Sequence, residues 1–169
     1  MPKIAVDKYA NVGYVRTATT VNDTLAFDQL RFAVGIFQGV GIVIHRILYF
    51  PDESTLRKIV AASDTLWVGL AASDALAGIT DISQPAVLDQ KVITGIGVNV
   101  EPFISPLITD WTGLPGGGKI FTPNPLFSYI DTAGYAALAV CWIQVEFTFV
   151  ELSDKDYIEL IQSKLPANL

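Results

Sequence analysis

The 169-residue sequence predicts an all-β fold, a two-sheet antiparallel jelly-roll sandwich with a short inserted helix and a C-terminal helix. Three observations point there. Short β-rich runs recur along the chain between clusters of Gly, Pro, Asp and Ser, the spacing of a sandwich. The stretch 137–152 alternates with period two: Ala139, Cys141, Ile143, Val145, Phe147 and Phe149 share one face, and Gln144, Glu146 and Thr148 the other. A parallel α/β fold would need a helix of about 10–15 residues after most strands, and the sequence does not offer them.

The strands are expected over residues 12–19, 24–34, 40–50, 65–72, 91–100, 103–109, 119–122, 126–131 and 137–152. The third differs from the last. Ile42, Ile44, Leu48 and Phe50 form one face, and Val43, Ile47 and Tyr49 make the other nearly as apolar, so the strand is expected to be covered on both sides. A helix over 54–62 follows Pro51-Asp52-Glu53, with Ser54 as its N-cap and acids near the positive end of its dipole. A second helix over 153–164 starts with Ser153 and Asp156 in a capping-box-like arrangement. Tyr157, Ile158, Leu160, Ile161 and Leu165 supply its apolar stripe, and Pro166 stops it. These elements make one domain, 1–169: residues 1–23 an N-terminal arm or first strand, 24–152 the jelly roll, 153–169 the helix and tail.

Composition narrows the function. Apolar residues make up 51% of the chain, charged residues 17%, and the mean hydropathy is +0.43. An ordinary soluble domain carries about 25% charged residues. A single small core cannot absorb that apolar excess, so part of it is expected on the surface as subunit contact. The longest uncharged apolar segments, 33–44 and 133–145, fall short of the ~20 residues of a spanning helix. The N-terminal stretch lacks the apolar core of a secretory signal. The net charge of −6 argues against a broad nucleic-acid surface, and Lys3, Lys8 and Arg16 do not make a basic arm.

Catalytic chemistry finds little to build on. GLPGGGKI, residues 113–120, has the spacing of a P-loop but Ile120 in place of the Mg²⁺-holding hydroxyl. Pro123 and Pro125 fall where the following helix would run, at ~3 kcal/mol each. The stretch is therefore read as a Gly-rich bend between strands. With the single His45 and the single Cys141, a His/Cys zinc site cannot form within one chain, and no metal or cofactor is expected. Cys141 in AVCWIQV reads as a buried inert thiol. His45 reads as a core or rim residue; it would be the one histidine general base of an enzyme, and no G-x-S-x-G elbow accompanies it. Trp67, Trp111 and Trp142 read as core or interface anchors, with sugar stacking as the alternative.

Three stretches in order, GVGIVIHRILYFP, GLPGGGKIFTPNPLF and VEFTFVELSDKDYIELIQS, resemble small single-jelly-roll capsid proteins of environmental and archaeal icosahedral viruses. The resemblance implies a non-enzymatic, self-assembling coat subunit of a virion, assembled in the host cytoplasm. Its partners would be copies of itself, with other virion proteins as further candidates. Many such coats carry a basic arm, which this chain lacks. Trp67, Phe103, Trp111, Phe121, Phe127 and Tyr129, near Pro and Gly bends, are the expected interface residues. The alternative function is a lectin-like jelly-roll module that binds carbohydrate or peptide.

Overall fold

A computed structural model describes residues 10–32, 40–57, 59, 63–74, 86–95, 106–122, 124–135, 138–153, 155, 156 and 158. Among the described residues the elements are, in order, β1 (Asn11–Ala18), β2 (Ala26–Leu30), β3 (Val40–Pro51), α1 (Glu53–Leu56), β4 (Thr65–Ala71), β5 (Val87–Thr94), β6 (Leu107–Asp110), β7 (Lys119–Phe121), β8 (Leu126–Ala133) and β9 (Val140–Glu151). They form two antiparallel sheets. The five-stranded sheet runs β1-β9-β3-β6, with β7 also on β3, and the four-stranded sheet runs β2-β8-β4-β5. The expected strand at 91–100 begins at Val87 instead, and its portion 96–100 lies outside the described residues.

The inner faces meet in one core. Val15, Ile42, Ile44, Ile47, Ile143, Val145 and Phe147 of the larger sheet pack with Leu30, Leu66, Val68, Leu70, Leu126 and Ile130 of the smaller. The alternation expected for β9 holds from Cys141 to Phe147, all buried, with Trp142 exposed between them. Phe147 anchors a ring cluster, edge-on to Phe32 at 4.9 Å and to Phe149 at 5.4 Å. Two hydroxyls, Thr17 on β1 and Ser128 on β8, are buried and hydrogen-bonded to each other across the sheets.

β3 corrects which residues were expected to share each face. Its register against β9 shifts between Ile44 and Arg46, so His45 is the extra residue of a β-bulge. Beyond a bulge the phase of alternation slips by one. Ile42, Ile44, Ile47 and Tyr49 therefore all point inward and are fully buried, while Arg46 and Phe50 are exposed on the outer face. Unbroken alternation had placed Leu48 and Phe50 with Ile42; the bulge separates them.

The same bulge organises GLPGGGKI. β6 pairs with β3 from Arg46 to Tyr49, and β7 pairs with β3 from Ile42 to Ile44. The two thus lie end to end along one edge of β3, and residues 111–118 are an excursion that leaves and rejoins that edge. Gly116 (φ 88°) and Gly117 (φ 75°) take the left-handed turn that favours glycine. Gly118 is needed for another reason: a Cβ there would collide with the backbone carbonyl of Ile44.

The first helix starts earlier than expected and is short among the described residues. α1 begins after Asp52, not Ser54; Ser54 lies inside it and its hydroxyl donates to the Asp52 carboxylate. Among the described residues α1 closes at Leu56, and 58 and 60–62 lie outside them. At the C-terminus, Ser153 Oγ accepts the Asp156 N–H at 3.2 Å, as the N-cap half of the pattern predicts, while the Asp156 carboxylate accepts the Ser153 hydroxyl at 2.6 Å and not its backbone N–H. Residues 159–169, with the rest of that expected helix, lie outside the described part.

Candidate functional site

Each group singled out for chemistry has a structural position. His45 Nδ1 donates its N–H to the carbonyl of Gly117 at 2.7 Å, since a carbonyl can only accept. Nε2 is hydrogen-bonded to the Thr148 hydroxyl at 2.9 Å. The His45 carbonyl accepts the Trp111 N–H at 2.8 Å, so His45 ties both ends of the 111–118 excursion to the sheet. Lys119 extends over the Trp111 ring, its Nζ 4.2 Å from the centroid, in a cation–π contact. Among the described residues no group of His, Cys, Asp or Glu side chains is arranged to hold a metal ion.

Cys141 is buried, and burial pushes its thiol from the ordinary 9.0 up to about 12. It stays protonated at neutral pH and is a poor nucleophile. The Tyr49 hydroxyl is raised well above its ordinary value, first by burial and then by the Asp89 carboxylate. These groups hold their protons in the folded state to higher pH than in the unfolded chain. Their contribution to stability is thus complete below pH 9.0 and is lost as pH rises toward 12. Native protein is expected to leave Cys141 unlabelled by a thiol reagent at neutral pH, and its melting temperature to fall progressively above pH 9.0. Rapid labelling without denaturant would contradict the burial.

A charged acceptor sits between the sheets. Asp89 on β5 accepts hydrogen bonds from the Tyr49 hydroxyl on β3 at 2.7 Å and the Thr109 hydroxyl on β6 at 2.6 Å, so one carboxylate links three strands of both sheets. This is a structural clasp: both donors are side chains of the core, Tyr49 completely so.

The expected interface residues separate into three groups. Trp111 and Phe121 lie in the main core, their rings 6.1 Å apart: Trp111 is tied to the His45 carbonyl, and Phe121 in β7 pairs with the inward-facing Ile42. Trp67, Phe127 and Tyr129 share the outer face of the four-stranded sheet, opposite in phase to the buried Leu66, Val68, Leu70 and Ile130. There Tyr129 is fully buried with Ala71 and Val87, while Trp67 and Phe127 remain half-buried. Phe103 lies outside the described residues. Trp111, Phe121 and Tyr129 are thus covered by their own chain and correct the expectation that they offer area to a neighbour.

Val92 is exposed beside Trp67, but most of the exposed large apolar side chains on the strands belong to the other sheet. Pairing places Arg16, Trp142 and Phe50 in one row across β1, β9 and β3. The next row is Tyr14, Gln144, Leu48 and Ile108, and the next Val12, Glu146, Arg46 and Asp110. All project from the outer face. Tyr14 is 64% exposed, Ile108 52% and Trp142 47%. Val12 and Phe50 are also exposed. The charges at the rim are partly matched: Arg46 meets Asp110 at 3.0 Å. Asp110 also accepts the hydroxyl and N–H of Thr112, which, more than Arg46, hold its carboxyl below the ordinary range. The alternation of β9 already placed Trp142 opposite Cys141. Phe50 was hidden by the bulge, and Tyr14 and Ile108 lacked any nearby bend to mark them.

No protein-family model matches the chain, and no curated protein matches its sequence.

Proposed function

We propose that the protein is a structural virion protein, a jelly-roll coat subunit that builds a shell from copies of itself. The observation that carries this reading is the apolar band of Val12, Tyr14, Phe50, Ile108 and Trp142 on the outer face of the larger sheet. Contiguous exposed apolar area on a small domain is the mark of a protein contact. The strand order supports the jelly-roll part. The pairs β1·β9, β2·β8, β3·β7 and β4·β5 nest inside one another, as in a single long hairpin wound into two sheets. The structural engagement of His45 and the raised, buried Cys141 thiol weigh in the same direction, since they occupy the residues an enzyme would most readily use.

Electron microscopy of the purified protein tests the reading, with closed particles of uniform size expected. One observation favours a second reading. Tyr14, Phe50 and Trp142 present rings on a wet sheet face beside Arg16 and Gln144, a surface on which sugar rings could stack. Specific glycan binding lost in Trp142→Ala, by a protein that forms no particles, would move the assignment to a carbohydrate-binding module.

A further inference from the structure

We infer that β1 is an assembly edge, and that two copies of the chain pair through it, antiparallel about a two-fold axis, to extend the larger sheet across the contact. The pairing rests on the self-association proposed above and names its surface.

Strand edges differ in how far they are protected against such pairing. Natural edges are blunted by shortness, bulges, Pro or charge. Among the described residues, β6 is four residues long, β7 three and β2 five. β5 is longer but carries Asp89 and Lys91, and its pairing with β4 is broken by a register shift. β1 has the fewest of these protections. It is eight residues long, in unbroken register with β9, contains no proline, and bears Arg16 as its one charge. Among the described residues it pairs with β9 alone.

Its side chains also select a partner. Val15 and Thr17 are buried in the subunit's own core, so the outer positions Val12, Tyr14 and Arg16 set the match. A two-fold axis at Val15 places Tyr14 opposite Arg16 of the second copy, and Arg16 opposite its Tyr14. Each cation then meets an aromatic ring across the junction, a favourable cross-strand pair made twice. An axis at Arg16 would oppose the two cations, so charge disfavours that register. The axis at Val15 also joins the two Tyr14–Trp142 bands into one continuous outer face, since Arg16 and Trp142 are already neighbours.

The test uses the full chain. Tyr14→Lys, at an exposed position, opposes like charges twice across the junction. It is expected to weaken association by about tenfold or more. Adding Arg16→Glu should restore association to within about threefold of the wild type, because each Lys then faces a Glu on the other copy. A second readout needs no substitution: amides of β1 should gain protection from hydrogen exchange as wild-type concentration rises, while those of β5 should not. Unchanged association in Tyr14→Lys, or no concentration-dependent protection of β1 in an associating protein, overturns the pairing. Particles formed equally by wild type and Tyr14→Lys overturn the pairing and leave the coat reading standing. A dimer lost in the variant and regained in the double variant, with no particles under any condition, does the reverse.

Discussion

Replacing Asp89 with Ala is expected to destabilise the protein by about 2–5 kcal/mol, because the loss strands two hydroxyls at once. Tyr49 is fully buried and Thr109 nearly so, and both donate to the same carboxylate oxygen. An unsatisfied buried hydroxyl costs about 1–3 kcal/mol, whereas the hydrogen bond itself contributes less. Asp89→Asn, which keeps an acceptor oxygen, should recover at least half of the loss. Tyr49→Phe in the Asp89→Ala background should regain stability, since it removes one stranded donor. Denaturant unfolding midpoints for the three variants check this. A cost below about 0.5 kcal/mol for Asp89→Ala would show that water satisfies the hydroxyls and that the clasp does not hold the sheets.

Gly69→Val should be comparably damaging, by roughly 3 kcal/mol or more. Gly69 pairs with Tyr129 on the neighbouring strand, and a Cβ at position 69 would run into the Tyr129 hydroxyl and the Asp89 carbonyl. The missing side chain is what lets the Tyr129 ring lie across β4, buried with Ala71 and Val87 and beside Phe27 at 6.3 Å. A Val there must expel a fully buried ring or bend the strand. In a Tyr129→Ala background the same change should cost less, because the clash with the ring is gone while that with the Asp89 carbonyl remains. Equal costs in the two backgrounds would contradict the account of why this strand contains glycine.

Legibility in the sequence followed the range of the forces. β9 was readable because its alternation is local and unbroken, and the Ser153–Asp156 cap because it spans three residues. β3 was misread past its middle, since a bulge leaves no mark on the one-letter code except a His-Arg pair inside an apolar run. Asp89 was missed altogether. Its partners lie 40 and 20 residues away in sequence, and the strand that carries it begins before its expected start. The same limit governed the interface. Trp111 and Phe121 stand near glycines and prolines, where aromatic rings were expected to project, but the ties through His45 turn the excursion inward. Trp142 is exposed because of its phase in β9, which the sequence does show; Tyr14 and Ile108 join it through register, which it does not. The prolines and the missing hydroxyl mark GLPGGGKI as a bend between strands. That it interrupts one edge strand and does not link two separate ones needed the pairing of β6 and β7 with β3.

The central claim is that this subunit works by associating with itself through surfaces its own fold leaves apolar. Its most direct test is the mass of the purified protein by size-exclusion chromatography with light scattering, across a range of salt, pH and concentration. The account predicts a mass that rises with concentration above that of the 18.3 kDa chain, toward dimers and larger closed assemblies. A constant monomer mass under every condition would contradict it.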